Sequence, residues 1–173
     1  LKNCNTIQNS AGATIVLSRN CEISLIDAGH REKARHKVPY GATLVVKDNQ
    51  QVKKGDRLAE WDPYTMPIIA DKEGFIKYED FVAGETVREV MDEATGLTSM
   101  VIMDWRQNAK GGERKPGLLL VDEKGESLKF SNDIEARYYL PVDAVVSVEN
   151  GAKVAQGDIL ARIPRETGKT KDI

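Results

Sequence analysis

Chemistry in this 173-residue chain would have to come from its thiols, imidazoles, carboxylates and amines, and their spacing restricts what they can do. Cys4 and Cys21 stand apart, with no Cys-x-x-Cys pair and no histidine at ligand spacing, which argues against zinc. Reduced thiols are the expectation for a cytoplasmic protein. His30 and His36 sit among Arg31, Lys33, Arg35 and Lys37, a setting that predicts a solvated loop or edge strand rather than a catalytic base. Asp56 and Asp158 occur in identical contexts beside a glycine, so they are expected to stabilise turns rather than hold a metal. The chain has no Asp-x-Asp-x-Asp cluster, no Gly-x-x-x-x-Gly-Lys-Ser/Thr loop and no Ser/His/Asp constellation, and a self-contained enzyme is therefore disfavoured.

The elements that would carry these side chains repeat. Residues 38–59 align without a gap onto residues 140–161, with Pro39/Pro141, Ala42/Ala144, Val46/Val148, Val52/Val154, Gly55/Gly157, Asp56/Asp158, Leu58/Leu160 and Ala59/Ala161 identical. The shared residues are turn formers and buried-strand residues, so the repeat is structural. Val-x-x-Gly-Asp-x-Leu places a short apolar strand, a glycine-aspartate turn and a second apolar strand within about ten residues, the grammar of a hairpin in a small barrel. Leu25-Ile26-Asp27-Ala28-Gly29 and Leu120-Val121-Asp122-Glu123-Lys124-Gly125 precede the two copies as matching strand-to-turn elements. A longer unit is thus repeated, with one insertion.

Charged residues are 30% of the chain and aromatics 6%, as suits a thin core under a well-solvated surface. The net charge of −2 gives no global attraction to nucleic acid or anionic lipid. Apolar runs such as Leu118-Leu119-Leu120-Val121 are strand-sized, the first residues lack a signal-peptide pattern, and the start at Leu1 reads as an excised fragment. Strands are expected at 13–17, 22–26, 68–70, 74–78, 82–87 and 99–105, with Glu89–Ala94 as the only passage able to hold a helical turn. The two prolines of Asp62-Pro63-Tyr64-Thr65-Met66-Pro67 predict a rigid, exposed bend. Residues 106–117 are polar, glycine-rich and locally +3, and are expected to form a flexible loop. Trp61 and Trp105 are expected to anchor the core.

Residues 38–87 resemble the biotinyl and lipoyl carrier domains, whose barrel is written in Val-x-x-Gly-Asp-x-Leu followed by Gly-x-Ile and Gly-x-Thr-Val. Carrier chemistry needs a lysine at the tip of the hairpin after the Leu-Ala-Glu strand. That tip is Asp62–Pro67 and has no lysine; Lys72 lies past the bend, and Ala161-Arg162-Ile163-Pro164-Arg165 offers none in the second copy. The carrier fold is retained as an alternative reading that lacks an obvious acceptor.

A second resemblance covers nearly the whole chain, from about residue 10 to the end. Ser18-Arg19-Asn20, Val38-Pro39-Tyr40-Gly41-Ala42, Trp61 to Ile68, Glu93 to Ser99, Ala161 to Thr167 and Thr170-Lys171-Asp172-Ile173 together resemble the trigger-loop insertion of the β′ subunit of bacterial DNA-directed RNA polymerase. The resemblance implies two sandwich-barrel hybrid motifs, hence an all-β fold of two tandem barrel-sandwich domains. The expected layout is a first domain at 10–104, a basic loop at 105–117, a second domain at 118–165 sharing strands with the first, and an exit strap at 166–173. It further implies a non-catalytic module that travels with the trigger loop and modulates elongation, pausing and transcript cleavage. Its partners would be the β, α and ω subunits and the rest of β′, with regulators at the secondary channel and downstream DNA as further candidates. No cofactor is expected in this stretch, the parent enzyme's magnesium and zinc lying elsewhere. Candidate contact residues are Trp61, Asp62, Pro63 and Tyr64 on the bend and Arg106, Lys110, Arg114 and Lys115 on the basic loop, and the acidic patch Glu79, Asp80, Glu85, Glu89, Asp92 and Glu93 is a third candidate contact surface.

Overall fold

The computed structural model describes residues 1–107 and 113–165. Strands account for its regular structure apart from one short 3₁₀ turn at Trp105–Gln107, so the protein is all-β as expected. It divides into two compact units, Leu1–Asp62 and Pro63–Ile173.

In the first unit, β1 (Thr6–Gln8), β2 (Thr14–Val16), β5 (Thr43–Leu44) and β6 (Ala59–Glu60) form an antiparallel sheet in the order β1-β2-β5-β6. β3 (Cys21–Ile26) and β4 (Glu32–Val38) form a separate hairpin. Alternation places Cys21 and Ile23 inside while Glu22 and Ser24 face outward, as a two-residue side-chain period requires. With Val16, Val38, Ala42 and Leu44 they make a small core, against which Leu1, Cys4, Leu25, Val46, Leu58 and Ala59 pack. His36 lies exposed on β4 and His30 in the turn before it, where the sequence put them.

The second unit contains β7 (Thr65–Ile69), β8 (Gly74–Glu79), β9 (Val87–Met91), β10 (Thr98–Ile102), β11 (Gly117–Val121), β12 (Arg137–Tyr139), β13 (Val145–Val146), β14 (Lys153–Val154) and β15 (Ile159–Pro164). One sheet runs β7-β15-β13-β10-β9 and the other β12-β11-β8-β14. β11 is buried along its whole length because β8 and β12 flank it. Ile76, Ile102, Leu118, Leu120, Leu140 and Leu160 fill the space with relative exposures of 2% or less.

Both copies of the repeat are built with the same hydrogen bonds. The Ala42 amide donates to the Pro39 carbonyl and the Ala144 amide to Pro141, each at 3.2 Å. The Val16 amide donates to the Ala42 carbonyl at 2.9 Å, and the Ile102 amide to Ala144 at 3.0 Å. Asp27 and Asp122 each gather two following amides on one carboxylate oxygen, from Gly29 and Arg31 in one copy and Lys124 and Glu126 in the other. The order β1-β2-β5-β6 therefore recurs as β9-β10-β13-β15, with β7 added at the edge.

The units part at Asp62/Pro63, whereas the sequence reading places the boundary in residues 105–117. Strand sharing is the reason: β8 inserts between β11 and β14, and β7 runs along β15, which draws residues 65–79 into the body of the second copy.

Local expectations change in four places. Pro67 lies within β7 opposite Arg162, so the bend is confined to the residues before Thr65. β7 is an edge strand, where a residue without an N–H is tolerated. Glu89–Ala94 holds strand and turn because β9 pairs with β10 from Val87 to Met91, a tertiary partner overriding local preference. Trp61 is 52% exposed rather than a core anchor, whereas Trp105 does pack against the second core. Finally, Cys4 and Cys21 are joined as a disulfide rather than free, because folding brings β3 back beside the N-terminal segment to a Cα separation of 4.4 Å.

Candidate contact surface

The repeated Gly-Asp turns show how the acidic residues in the motif are used. Asp56 accepts the Lys53 amide at 2.8 Å and Asp158 accepts the Ala155 amide at 2.9 Å through Oδ2, while Gly55 and Gly157 take φ of 93° and 92°. Both carboxylates close their own turns, as the sequence suggested. Among the described residues, no group of three or more His, Cys, Asp or Glu is placed to hold a metal ion. Lys72 lies in the turn after β7 and its Nζ donates to the Lys129 carbonyl, away from the corner where a carrier would hold its acceptor.

The predicted contact residues fall into separate settings. Trp61 and Asp62 close the first unit, and Pro63 and Tyr64 open the second. Tyr64 is 68% exposed, and its carbonyl accepts the Arg165 amide at 2.8 Å. This holds the Tyr64 backbone within the second unit while its ring stays exposed. Arg106 lies over the Trp105 ring at 5.5 Å from the centroid, a cation–π contact that holds it beside the 3₁₀ turn. Arg114 pairs with Glu85 at 3.4 Å, and the Lys115 amide donates to Asp80 Oδ2 at 3.0 Å. Lys110 lies outside the described residues. Arg114 and Glu85 are therefore a charge pair joining the basic loop to the acidic group, while Lys115 is tied to Asp80 through its backbone amide alone.

Glu79 is likewise engaged, by Arg137 at 2.5 and 3.1 Å, and Arg137 also reaches Glu135 at 3.0 Å. The Glu79 carboxylate above all, with smaller contributions from Tyr139 and Glu135, raises the pKa of the Arg137 guanidinium above its ordinary value. Glu89, Asp92 and Glu93 remain on or beside the β9–β10 hairpin. Its exposed apolar residues Val90, Met91 and Leu97 form a feature that the sequence reading did not single out. The available signal was Met91 and Leu97 flanking the Thr95-Gly96 turn.

The first unit carries a different cluster. Glu32 accepts from Arg35 at 3.0 Å, Lys2 at 2.8 Å and the Ser24 hydroxyl at 2.8 Å. Chiefly through Arg35, its carboxyl is pulled down to about 2. The same unit has a cleft of about 850 Å³ with Ile23, Leu25, Val46, Val52, Lys2 and Asp48 among its lining.

The fold is thus an all-β module built twice, with the motif carboxylates Asp56 and Asp158 accepting amides of their own turns. The comparisons are specific about where such a module occurs. The chain is 53% identical over 169 residues to DNA-directed RNA polymerase subunit beta' of Rickettsia felis, Rickettsia conorii and Rickettsia prowazekii. The aligned segment is 98% of this chain but 12% of each of those subunits, so the chain is homologous to a small part of them. No family model matches the chain.

Proposed function

We propose that this chain is a non-catalytic module of the β′ subunit of bacterial DNA-directed RNA polymerase, inserted in the trigger loop and moving with it. The observation that carries the reading is identity of 53% across 98% of the chain to a segment that is only 12% of β′. The duplicated fold, whose motif carboxylates serve turns, agrees with a role in contact rather than catalysis.

An insertion spliced into a mobile loop must travel when that loop folds, so each contact it makes elsewhere biases the open or the closed state. A differential contact energy of about 1.4 kcal/mol changes the population ratio tenfold. The module thereby tunes nucleotide addition, pausing and transcript cleavage in a cytoplasmic enzyme. The exposed rings of Trp61 and Tyr64 and the guanidinium of Arg106 are the groups offered for contact, with the β, α and ω subunits and the remainder of β′ as partners. Regulators at the secondary channel and downstream DNA are further partners in this reading. The module itself holds no cofactor, and the magnesium and zinc of the parent enzyme sit elsewhere.

Deleting residues 1–173 from the subunit while joining the flanking arms is expected to change pause lifetimes and leave RNA synthesis intact. Unchanged kinetics at every pause site would reject the tuning role. Intact-mass measurement after expression with biotin and lipoyl ligases is expected to show no added group, and an added group would restore the carrier reading.

A further inference from the structure

The segment Leu1–Asn5 docks on the first unit by packing Leu1 and Cys4 against its core, by the Leu1 amino group 2.6 Å from Asp48, and by a short set of hydrogen bonds. Lys2 and Glu22 exchange backbone hydrogen bonds at 2.8 and 2.9 Å, and the Leu17 amide donates to the Asn5 carbonyl at 2.8 Å. Lys2 Nζ reaches Glu32 at 2.8 Å, and the Asn5 amide reaches the Ser18 hydroxyl at 3.1 Å. Of these, the exposed Lys2–Glu32 ion pair contributes little. The Cys4–Cys21 bond is the covalent one, closing a sequence separation of 17 residues between this segment and β3.

We propose that the Cys4–Cys21 disulfide is a redox-controlled clasp that decides whether the Leu1–Asn5 segment stays docked on β3. Cys21 is 1% exposed and belongs to the core of the first unit, while Cys4 is only partly buried, so thiol exchange begins at Cys4. A dithiol reductant attacks Cys4 Sγ through one thiolate, forming a mixed disulfide and expelling Cys21 as a thiolate that takes up a proton. The second thiol of the reductant then displaces Cys4. The protein gains two electrons and two protons, and the reductant leaves as its own disulfide.

Both oxidation states fit the site. Once reduced, the Cys4 thiol has acceptors at hand, since its sulfur lies 3.2 Å from the Lys2 carbonyl oxygen and 3.7 Å from that of Glu22. Cys21 as a free thiol is a small apolar side chain in an apolar core, a common setting for that residue. Reduction therefore loosens the segment without dismantling the hairpin behind it.

The test uses the 173-residue chain equilibrated with oxidised glutathione or with dithiothreitol. After removal of the reductant and denaturation, maleimide labelling is expected to find no free thiol in chain from the first buffer and two in chain from the second, whereas native labelling of the reduced chain should reach Cys4 ahead of the buried Cys21. Hydrogen exchange at the Glu22 and Leu17 amides should accelerate at least tenfold on reduction, while the Leu120 amide in the second unit keeps its rate. The unfolding temperature of the first unit should fall by on the order of 10 °C, the scale expected for opening a loop of this length in a small domain. A Cys4→Ser chain should show the reduced behaviour in both buffers. Equal exchange at Glu22 and Leu17 in the two redox states of the unaltered chain, or thiols that oxidised glutathione fails to consume, would overturn the proposal.

Discussion

Gly55 shows what one residue contributes to this fold. Its φ of 93° lies where side chains are strained, yet a Cβ added there would meet nothing within 4 Å. The requirement is conformational rather than steric, so Gly55→Ala should destabilise the first unit by about 1 kcal/mol, read from the urea midpoint at unchanged slope. Gly74 is the opposite case, because its Cβ would lie 2.7 Å from Leu128 Cδ1 and 3.0 Å from the Val121 carbonyl oxygen. Glu32 sets a residue-scale pH dependence. Its carboxyl titrates near 4.5 when unpaired and is pulled down to about 2 in the fold, mainly by Arg35. A depressed folded value means that its contribution is complete above 4.5 and is lost as pH falls from 4.5 towards 2. Carboxyl NMR should find the low value in the native chain and a return towards 4.5 in Arg35→Gln; a native Glu32 titrating at 4.5 would contradict the cluster.

At the scale of elements, the turn between β8 and β9 depends on one buried hydroxyl. Thr86 has 0% exposure, and its Oγ1 accepts the Val82 amide at 2.8 Å while donating to the Asp80 carbonyl at 2.5 Å. Thr86→Val keeps the shape and removes both bonds, so the second unit should lose about 1–3 kcal/mol in chemical denaturation. Thr86→Ser should recover most of it, and equal losses in the two variants would show that the methyl group matters instead. The same turn positions Asp80 to receive the Lys115 amide and Glu85 to meet Arg114, which links the described end of the basic loop to the acidic group. Tyr78 on β8 adds a half-buried tie by donating its hydroxyl to the Val148 carbonyl at 2.5 Å, and partial burial raises the pKa of its phenol above the ordinary value.

Taken whole, the molecule is one design used twice with unequal cores. The larger core of the second unit follows from the strands it gains, β7 and β8, which cover β15 and β11. Leu120 has 0% exposure on the central strand, and Leu120→Ala is expected to cost the second unit about 2–5 kcal/mol. Hydrogen exchange should show faster opening at the Ile102 and Leu118 amides, with the Val16 amide of the first unit unchanged. A uniform increase in both units would mean that they unfold as one cooperative body.

Much of this was written in the chain itself. The repeat predicted two similar β bodies, because Pro-x-x-Ala and Val-x-x-Gly-Asp-x-Leu dictate turns by local geometry alone. The structure returns those turns with matching hydrogen bonds in both copies. Asp56, Asp158, His30 and His36 were legible for the same reason, since their roles depend on immediate neighbours. Other features required partners distant in sequence. β1 and β2 match β9 and β10 in sheet order although the repeat alignment does not reach them, since pairing tolerates many side chains at those positions. Trp61 was expected inside and lies in solvent because exposure depends on what packs nearby, not on residue type. The disulfide and the boundary at Asp62/Pro63 were decided by three-dimensional proximity, which the spacing of two cysteines or the end of a repeat does not encode.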